Sequence, residues 1–394
     1  MLKSLSKKKN PETTSRSTIF NPLRQGSRSC LGMDIGQFET KLVWVKKTPS
    51  GFQAASAKML SFPPEELVDA SETENLAEER RGLSVRNPFR AQLKADHDKD
   101  NLWNLEEVPK LVQRLACSLS PQIAASDVAV NLSMAACDIR GICLPDSERI
   151  TDSAIQQAIQ EATGDSSPSS YALLPNPKAD STKQRTFCIP SEATLLIASA
   201  LETNKLSPWK IDGLPWCKLR LLKMMNDLPK NHFLPILDWS FGNPTLTLIA
   251  ENKIKYVRHL NVGGMQAVLA GAERGFGMDL PQAVRWLELC FESEFDADPC
   301  ALEMRHWAIQ CCQQIVAEIE VAMDFVRWQF RDTEISRLMV VGGGGALPGL
   351  CRALQSELAI KVEPWSLKLA DLELTSEFAV ATSLALSGVG NDRR

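Results

Sequence analysis

The sequence predicts a two-lobed α/β fold made from a duplicated strand-and-helix unit, with a small α+β subdomain inserted between the copies. Three observations carry this. A three-strand meander with Asp at its first bend occurs twice; an apolar strand, four glycines and a helix follow in the second copy; and a shorter alternation of strands and helices separates the two. At 394 residues the chain is long enough for two or three cores, since domains typically hold roughly 150 residues.

Composition narrows the class. The 44 Lys and Arg against 48 Asp and Glu give a formal charge of -4, and 44% of the residues are hydrophobic, which excludes wholesale disorder and a generally basic nucleic-acid coat. The 11 cysteines form no CxxC pair and no Cys/His cluster, and Cys188, Cys290, Cys311, Cys312 and Cys351 lie in apolar stretches. They read as reduced, buried thiols of a cytosolic chain. No apolar run is long enough to span a membrane, and no leader pattern opens the chain.

Residues 1–28 carry seven Lys and Arg against the single acid Glu12 and read as a solvated basic tail, with a weak attraction to anionic lipid as the functional alternative. The first lobe is expected over 29–125. Its opening run, Cys30-Leu-Gly-Met-Asp34-Ile-Gly36-Gln37-Phe38-Glu-Thr-Lys41 to Val45, turns again at 48–51. An acidic surface insertion follows at about 61–99.

The inserted subdomain is expected over 126–226. Residues 128–132 and 135–143 read as paired strands, 152–162 as a helix, 187–189 as a short strand, and 192–201 and 214–225 as helices. The second lobe, 227–390, opens on Pro235-Ile-Leu-Asp238-Trp-Ser-Phe-Gly242-Asn243-Pro-Thr245. Met304, Ala308, Cys311, Ile315, Ile319, Ala322, Val326 and Phe330 then mark one apolar stripe of a long core-facing helix. The strand 338–341 leads through Gly342, Gly343, Gly344 and Gly345 into a helix, placing glycines before a helix N-terminus; a short strand at 360–362 and a closing helix around 377–386 complete the copy.

The bends and the glycine run carry the chemistry. Backbone N–H groups in a tight turn can meet phosphate without side-chain entropy, Lys41 adds a positive charge, and Asp34 and Asp238 are oxygen donors of the kind Mg²⁺ prefers. Either bend alone reads first as an ordinary hairpin turn, whereas four glycines before a helix are more than a packing turn requires and point to close approach of backbone to a ligand. Together they make three phosphate-compatible turns in a duplicated frame.

These residues also resemble a known family. Gly32-Met33-Asp34-Ile35-Gly36, Leu144-Pro145 before the helix bearing Ala154 and Ile155, Ile211-Asp212, Asp324-Phe325, the Gly342-Gly343-Gly344 turn, Leu347-Pro348-Gly349-Leu350 and the closing helix from Ala379 are similar to the PilM-type pilus assembly proteins, actin-like relatives of FtsA. The resemblance runs from Leu31 to about Gly388. It implies an actin-like fold of two ribonuclease H-like lobes, ATP with Mg²⁺, and phosphates between the Asp34 and Asp238 bends with the base near Gly343 and Gly344.

The candidate nucleotide residues are therefore Asp34, Gly36, Gln37, Phe38, Lys41, Asp238, Gly242, Asn243, Gly342, Gly343 and Gly344, with Asp34 and Asp238 toward the metal. The second bend departs from the family, where Asp-x-Gly is usual, because its glycine is displaced to Gly242. The family helix that offers an acid and a lysine falls near residues 283–287, where neither type stands and Arg285 is the nearest substitute.

The implied function is a cytoplasmic, peripherally membrane-associated component of a type IV pilus or type II secretion-like inner-membrane platform, at most a weak ATPase. The implied partner is the cytoplasmic N-terminal segment of a single-span PilN-like protein, held by strands near 42–45 and 128–142, with pilus motor ATPases as further partners. Two alternatives stand beside it. An FtsA-like division protein calls for an amphipathic C-terminal membrane helix, whereas the chain ends in a short polar segment; a small-molecule kinase calls for a catalytic carboxylate and a substrate pocket, for which there is no motif. The four histidines, at 97, 232, 259 and 306, have no metal-ligand spacing.

Overall fold

A computed structural model describes residues 29–36, 39–49, 51–61, 108–132, 134, 137–144, 151–164, 169–174, 183–229, 232–330 and 334–389. The basic tail, nearly all of the acidic insertion, and Gln37 and Phe38 lie outside them.

In the first lobe, β1 (Ser29–Ile35), β2 (Glu39–Thr48) and β3 (Gly51–Ser61) form the antiparallel meander. The helices α1 (Val108–Ser118) and the short α2 (Pro121–Ala124) lead to β4 (Asp127–Asn131). A small unit follows: β5 (Asp138–Cys143), α3 (Asp152–Thr163), β6 (Ser169–Leu174) and β7 (Lys183–Pro190). The chain returns through α4 (Ser191–Thr203) to β8 (Ser207–Asp212) and α5 (Leu214–Met224).

The second lobe repeats the plan. Its meander is β9 (Leu234–Asp238), β10 (Thr245–Ala250) and β11 (Lys253–His259), followed by α6 (Met265–Phe276), α7 (Leu280–Leu289) and the long α8 (Pro299–Gln329). Then come β12 (Arg337–Val341), α9 (Pro348–Leu358), β13 (Lys361–Pro364), the hairpin β14 (Leu367–Leu369) and β15 (Leu372–Leu374), and α10 (Ala379–Val389).

The two large sheets have the same order, β3-β2-β1-β4-β8 and β11-β10-β9-β12-β13. In each, the meander is antiparallel and the next two strands join in parallel. This is the actin-like duplicated frame, and both bends with Asp fall at the end of the first strand of a meander.

Two expectations about the middle segment are corrected. Residues 128–132 do not pair with 135–143: β4 lies between β1 and β8, and β5 pairs with β7 in a separate three-stranded sheet, β5-β7-β6. The reason is burial. All five residues of β4 are buried, as a strand covered on both faces requires, while β5 buries only Ile142 and suits a small, largely solvent-facing sheet. Thus β4 and β8, both inside the range 126–226, belong to the first large sheet, and α5 packs against α10 and β11.

The long helix is as the stripe predicts, with Met304, Ala308, Cys311, Ile315, Ile319, Ala322 and Val326 buried along one face. The closing helix differs in kind. All 11 residues of α10 are buried and none is charged, so it is wrapped by protein on every side. Small residues permit this: a Cβ on Gly32 of β1 would fall 1.9 Å from the Ala381 carbonyl, and one on Gly388 would fall 2.3 Å from Cys30 Sγ. Among the described residues no helix is long and apolar enough to cross a membrane.

Candidate functional site

The two bends face one another across a cleft of about 250 Å³ that includes Asp34, Gly36, Lys41, Asn131, Asp238, Gly242, Asn243 and His259 in its lining. Sequence-distant strands deliver these groups to one place because equivalent strands of the two sheets end there. Of the candidate residues, Asp34, Gly36, Lys41, Asp238, Gly242 and Asn243 are brought together; Gln37 and Phe38 lie outside the described residues.

At the first bend, Gly36 N–H donates to the Glu39 carbonyl at 3.0 Å, closing the turn, and a Cβ there would stand 2.7 Å from that oxygen. Lys41 Nζ is 3.3 Å from Glu39 Oε2. Asp34 accepts from Asn131 Nδ2 at 3.1 Å, a contact set up by the parallel pairing of β1 and β4, in which Asp34 and Asn131 are register partners. Burial pushes the Asp34 carboxyl up to about 6 against the pull of Lys41, with Asp238 adding to the rise and Asn131 opposing it. The other end of the Asn131 amide, Oδ1, is buried with no hydrogen-bond partner. A buried carbonyl oxygen beside a cleft carboxylate is an acceptor waiting for a donor or a cation.

The second bend is organised differently. Ser240 Oγ donates to Asp238 Oδ1, and Lys218 Nζ reaches Asp238 Oδ2 at 3.7 Å from the other side. Lys218 is wholly buried on α5 and also donates to Thr245 Oγ1 at 3.0 Å and Thr247 Oγ1 at 3.3 Å. Burial lowers its pKa to about 8, with Asp238 resisting the fall. The backbone of the bend is also engaged. Ser240 and Phe241 carbonyls accept from Met265 and Gln266 N–H at 3.0 and 2.8 Å, the first turn of α6. Gly264 makes that approach possible, because a Cβ there would lie 1.7 Å from the Gly242 carbonyl. The displaced glycine thus accompanies a bend that caps a helix of its own protein.

The glycine run sits behind this bend and outside the cleft lining. Gly342 has φ +85°, donates to Ser376 O at 2.9 Å and would press a Cβ against the Trp239 carbonyl. Gly344 N–H donates to that same carbonyl at 2.9 Å, and a Cβ on Gly344 would be 2.4 Å from the Trp239 indole, which is completely buried. In place of the expected ligand, the groups that come close are the chain's own Trp239 at Gly342 and Gly344 and Ser376 at Gly345. Gly343 alone has room, with Met265 Cγ at 3.9 Å. The run forms a 3-10 turn, and the helix starts at Pro348.

Lys218, Asn131, Ser240 and Thr245 were not among the residues singled out from the sequence. Two of them left a faint trace there: Asn131 as a polar residue inside the otherwise apolar run 128–132, and Lys218 as a lone cation on the apolar stripe with Leu214, Leu221 and Leu222. Arg285 is exposed on α7 and is not a cleft residue.

No family model matches the sequence, and no curated protein sequence matches it. A chain of the solved PilM–PilN type IV pilus biogenesis complex superposes with a TM-score of 0.66 at 20% identity, covering 93% of this chain and 100% of that one. This chain is PilM-like in fold. Looser matches to the PilM-like frame are the ethanolamine utilization protein EutJ from Carboxydothermus hydrogenoformans, at TM-score 0.47 and 12% identity over 93% and 92% of the two chains, and component A of the (R)-2-hydroxyglutaryl-CoA dehydratase of Acidaminococcus fermentans, at 0.42 and 8% over 92% and 97%.

Proposed function

We propose that the chain is a cytoplasmic, nucleotide-binding component of a type IV pilus or type II secretion-like inner-membrane platform, recruited by the cytoplasmic segment of a PilN-like membrane protein. The observation that supports it is the meeting of two Asp bends at one cleft, in a fold matched over 93% of the chain by a chain of the PilM–PilN complex.

ATP is the proposed ligand, with its phosphates between the bends. The residues fit Mg²⁺ at the first bend only. There Asp34 and the partnerless Asn131 Oδ1 offer hard oxygen donors to the ion or its water shell, and the ion would screen the phosphate charge. At the second bend Asp238 is already met by Ser240 and Lys218. Slow or absent turnover is part of the same reading, because the carboxylate of the altered second bend is engaged by its own chain. Calorimetry on Asp34→Ala tests the site: loss of Mg-ATP binding is expected, and unchanged affinity overturns the assignment.

The partner site needs a free strand edge. Of the strands expected to hold it, near 42–45 and 128–142, β2 and β4 are paired on both sides within the first sheet, so a peptide cannot add to them, and β5 is the strand of the second range that remains. The outer edge of β5 has no strand beside it among the described residues, whereas β6 at the other end of the small sheet approaches β11. An extended partner segment adding to β5 gains main-chain hydrogen bonds there. A synthetic PilN N-terminal peptide should bind, and its backbone N-methylated form should not; equal binding of both would exclude strand addition. Pilus motor ATPases remain proposed further partners, and membrane association runs through the PilN-like protein.

A further inference from the structure

We infer that Lys218 is a built-in cation that takes the place of a metal ion at the second phosphate bend, so that any divalent ion in this cleft is held by the first lobe alone. The inference rests on the reading of the cleft as a phosphate site, and it concerns one half of that site.

The geometry is that of a cation site already filled. Lys218 Nζ has three oxygen neighbours, Thr245 Oγ1 at 3.0 Å, Thr247 Oγ1 at 3.3 Å and Asp238 Oδ2 at 3.7 Å, and the side chain is fully buried. Asp238 is itself 3% exposed, and its second oxygen accepts from Ser240. A carboxylate with one oxygen bonded to a hydroxyl and the other faced by an ammonium already has its negative charge offset, and the positive charge behind it repels a divalent ion. The first bend is different, since Lys41 is partnered by Glu39 and Asn131 Oδ1 is left over.

Lys218 comes from α5, a helix of the first lobe, and reaches β9 and β10 of the second. The cation it brings is therefore part of the chain itself and tied to the contact between the lobes. A metal ion arrives and leaves with the nucleotide; a tethered ammonium does not. The second bend carries the same charge in the empty and the filled cleft, so nucleotide state is read at the first bend.

The test is titration of Mn²⁺, followed by electron paramagnetic resonance, into the full chain and its variants. Asp238→Asn should bind Mn²⁺ like the wild type. Lys218→Met, which frees the Asp238 and threonine oxygens, should gain one additional Mn²⁺, and Lys218→Met combined with Asp238→Asn should lose it. A weakening of about tenfold in Asp238→Asn alone would make Asp238 a metal ligand and overturn the inference. So would a folded Lys218→Met protein with no added site; should Lys218→Met not fold, Lys218→Gln takes its place, keeping a polar group near the threonines. Absence of Mn²⁺ and nucleotide from the wild type would refute the first-bend reading in the proposed function, while the gain or lack of a site in the lysine variant still decides this one.

Discussion

The ammonium of Lys218 stands 3.7 Å from the carboxylate of Asp238, both hidden from solvent, and joins a helix of one lobe to the first strand of the other. Removing one member of a buried pair strands the other charge, so Lys218→Met should cost about 3–5 kcal/mol. Replacing both, with Asp238→Asn alongside, should recover part of that loss. Urea denaturation of the two single variants and the double variant measures the coupling; simple additivity would show that the two groups do not interact.

Asp34 predicts an unusual pH dependence. Its carboxyl is pushed from an ordinary 3.8 up to about 6, chiefly by burial, so between those values the native state holds a proton that the unfolded chain has lost. Stability from this group therefore falls as pH rises through that window. Asp34→Asn should flatten the profile there and stabilise the protein near pH 7 by on the order of 2 kcal/mol. Thermal melts from pH 4 to 8 check it; a variant with the wild-type profile would exclude the shift.

The glycine run should not be uniform. Gly344→Ala drives a methyl into the Trp239 indole and should cost about 1–3 kcal/mol, while Gly343→Ala should be tolerated. Chemical denaturation of the pair distinguishes them, and equal cost would refute the packing explanation.

Arg185 ties the small sheet to the second lobe. Its guanidinium donates to the Val257 carbonyl at 2.9 Å and lies 4.7 Å over the Tyr256 ring. Arg185→Ala should leave both large cores intact and raise amide hydrogen exchange in β6 and β7. Unchanged exchange there would mean that the small sheet is held by other contacts.

Much of this protein was legible in its sequence because it depends on local pattern. The apolar stripe from Met304 to Val326 is a helix whatever surrounds it, and each meander announces itself by alternation and by Asp at the bend. The duplication was legible for the same reason: two copies of one pattern imply two copies of one sheet.

Tertiary structure decided what depends on which strands become neighbours. Nothing in residues 128–143 says that β4 will sit between β1 and β8, and without that pairing Asn131 has no reason to meet Asp34. Four glycines in a row record that something comes close, but not whether it is a nucleotide or the Trp239 ring. A lysine on an apolar helix face is legible as an oddity; only the packing of α5 against β10 gives it Asp238 and two threonines as partners. The division has one physical cause. Helix and strand patterns arise from interactions a few residues apart, whereas the charge balance of a cleft is set by groups that folding brings together from far along the chain.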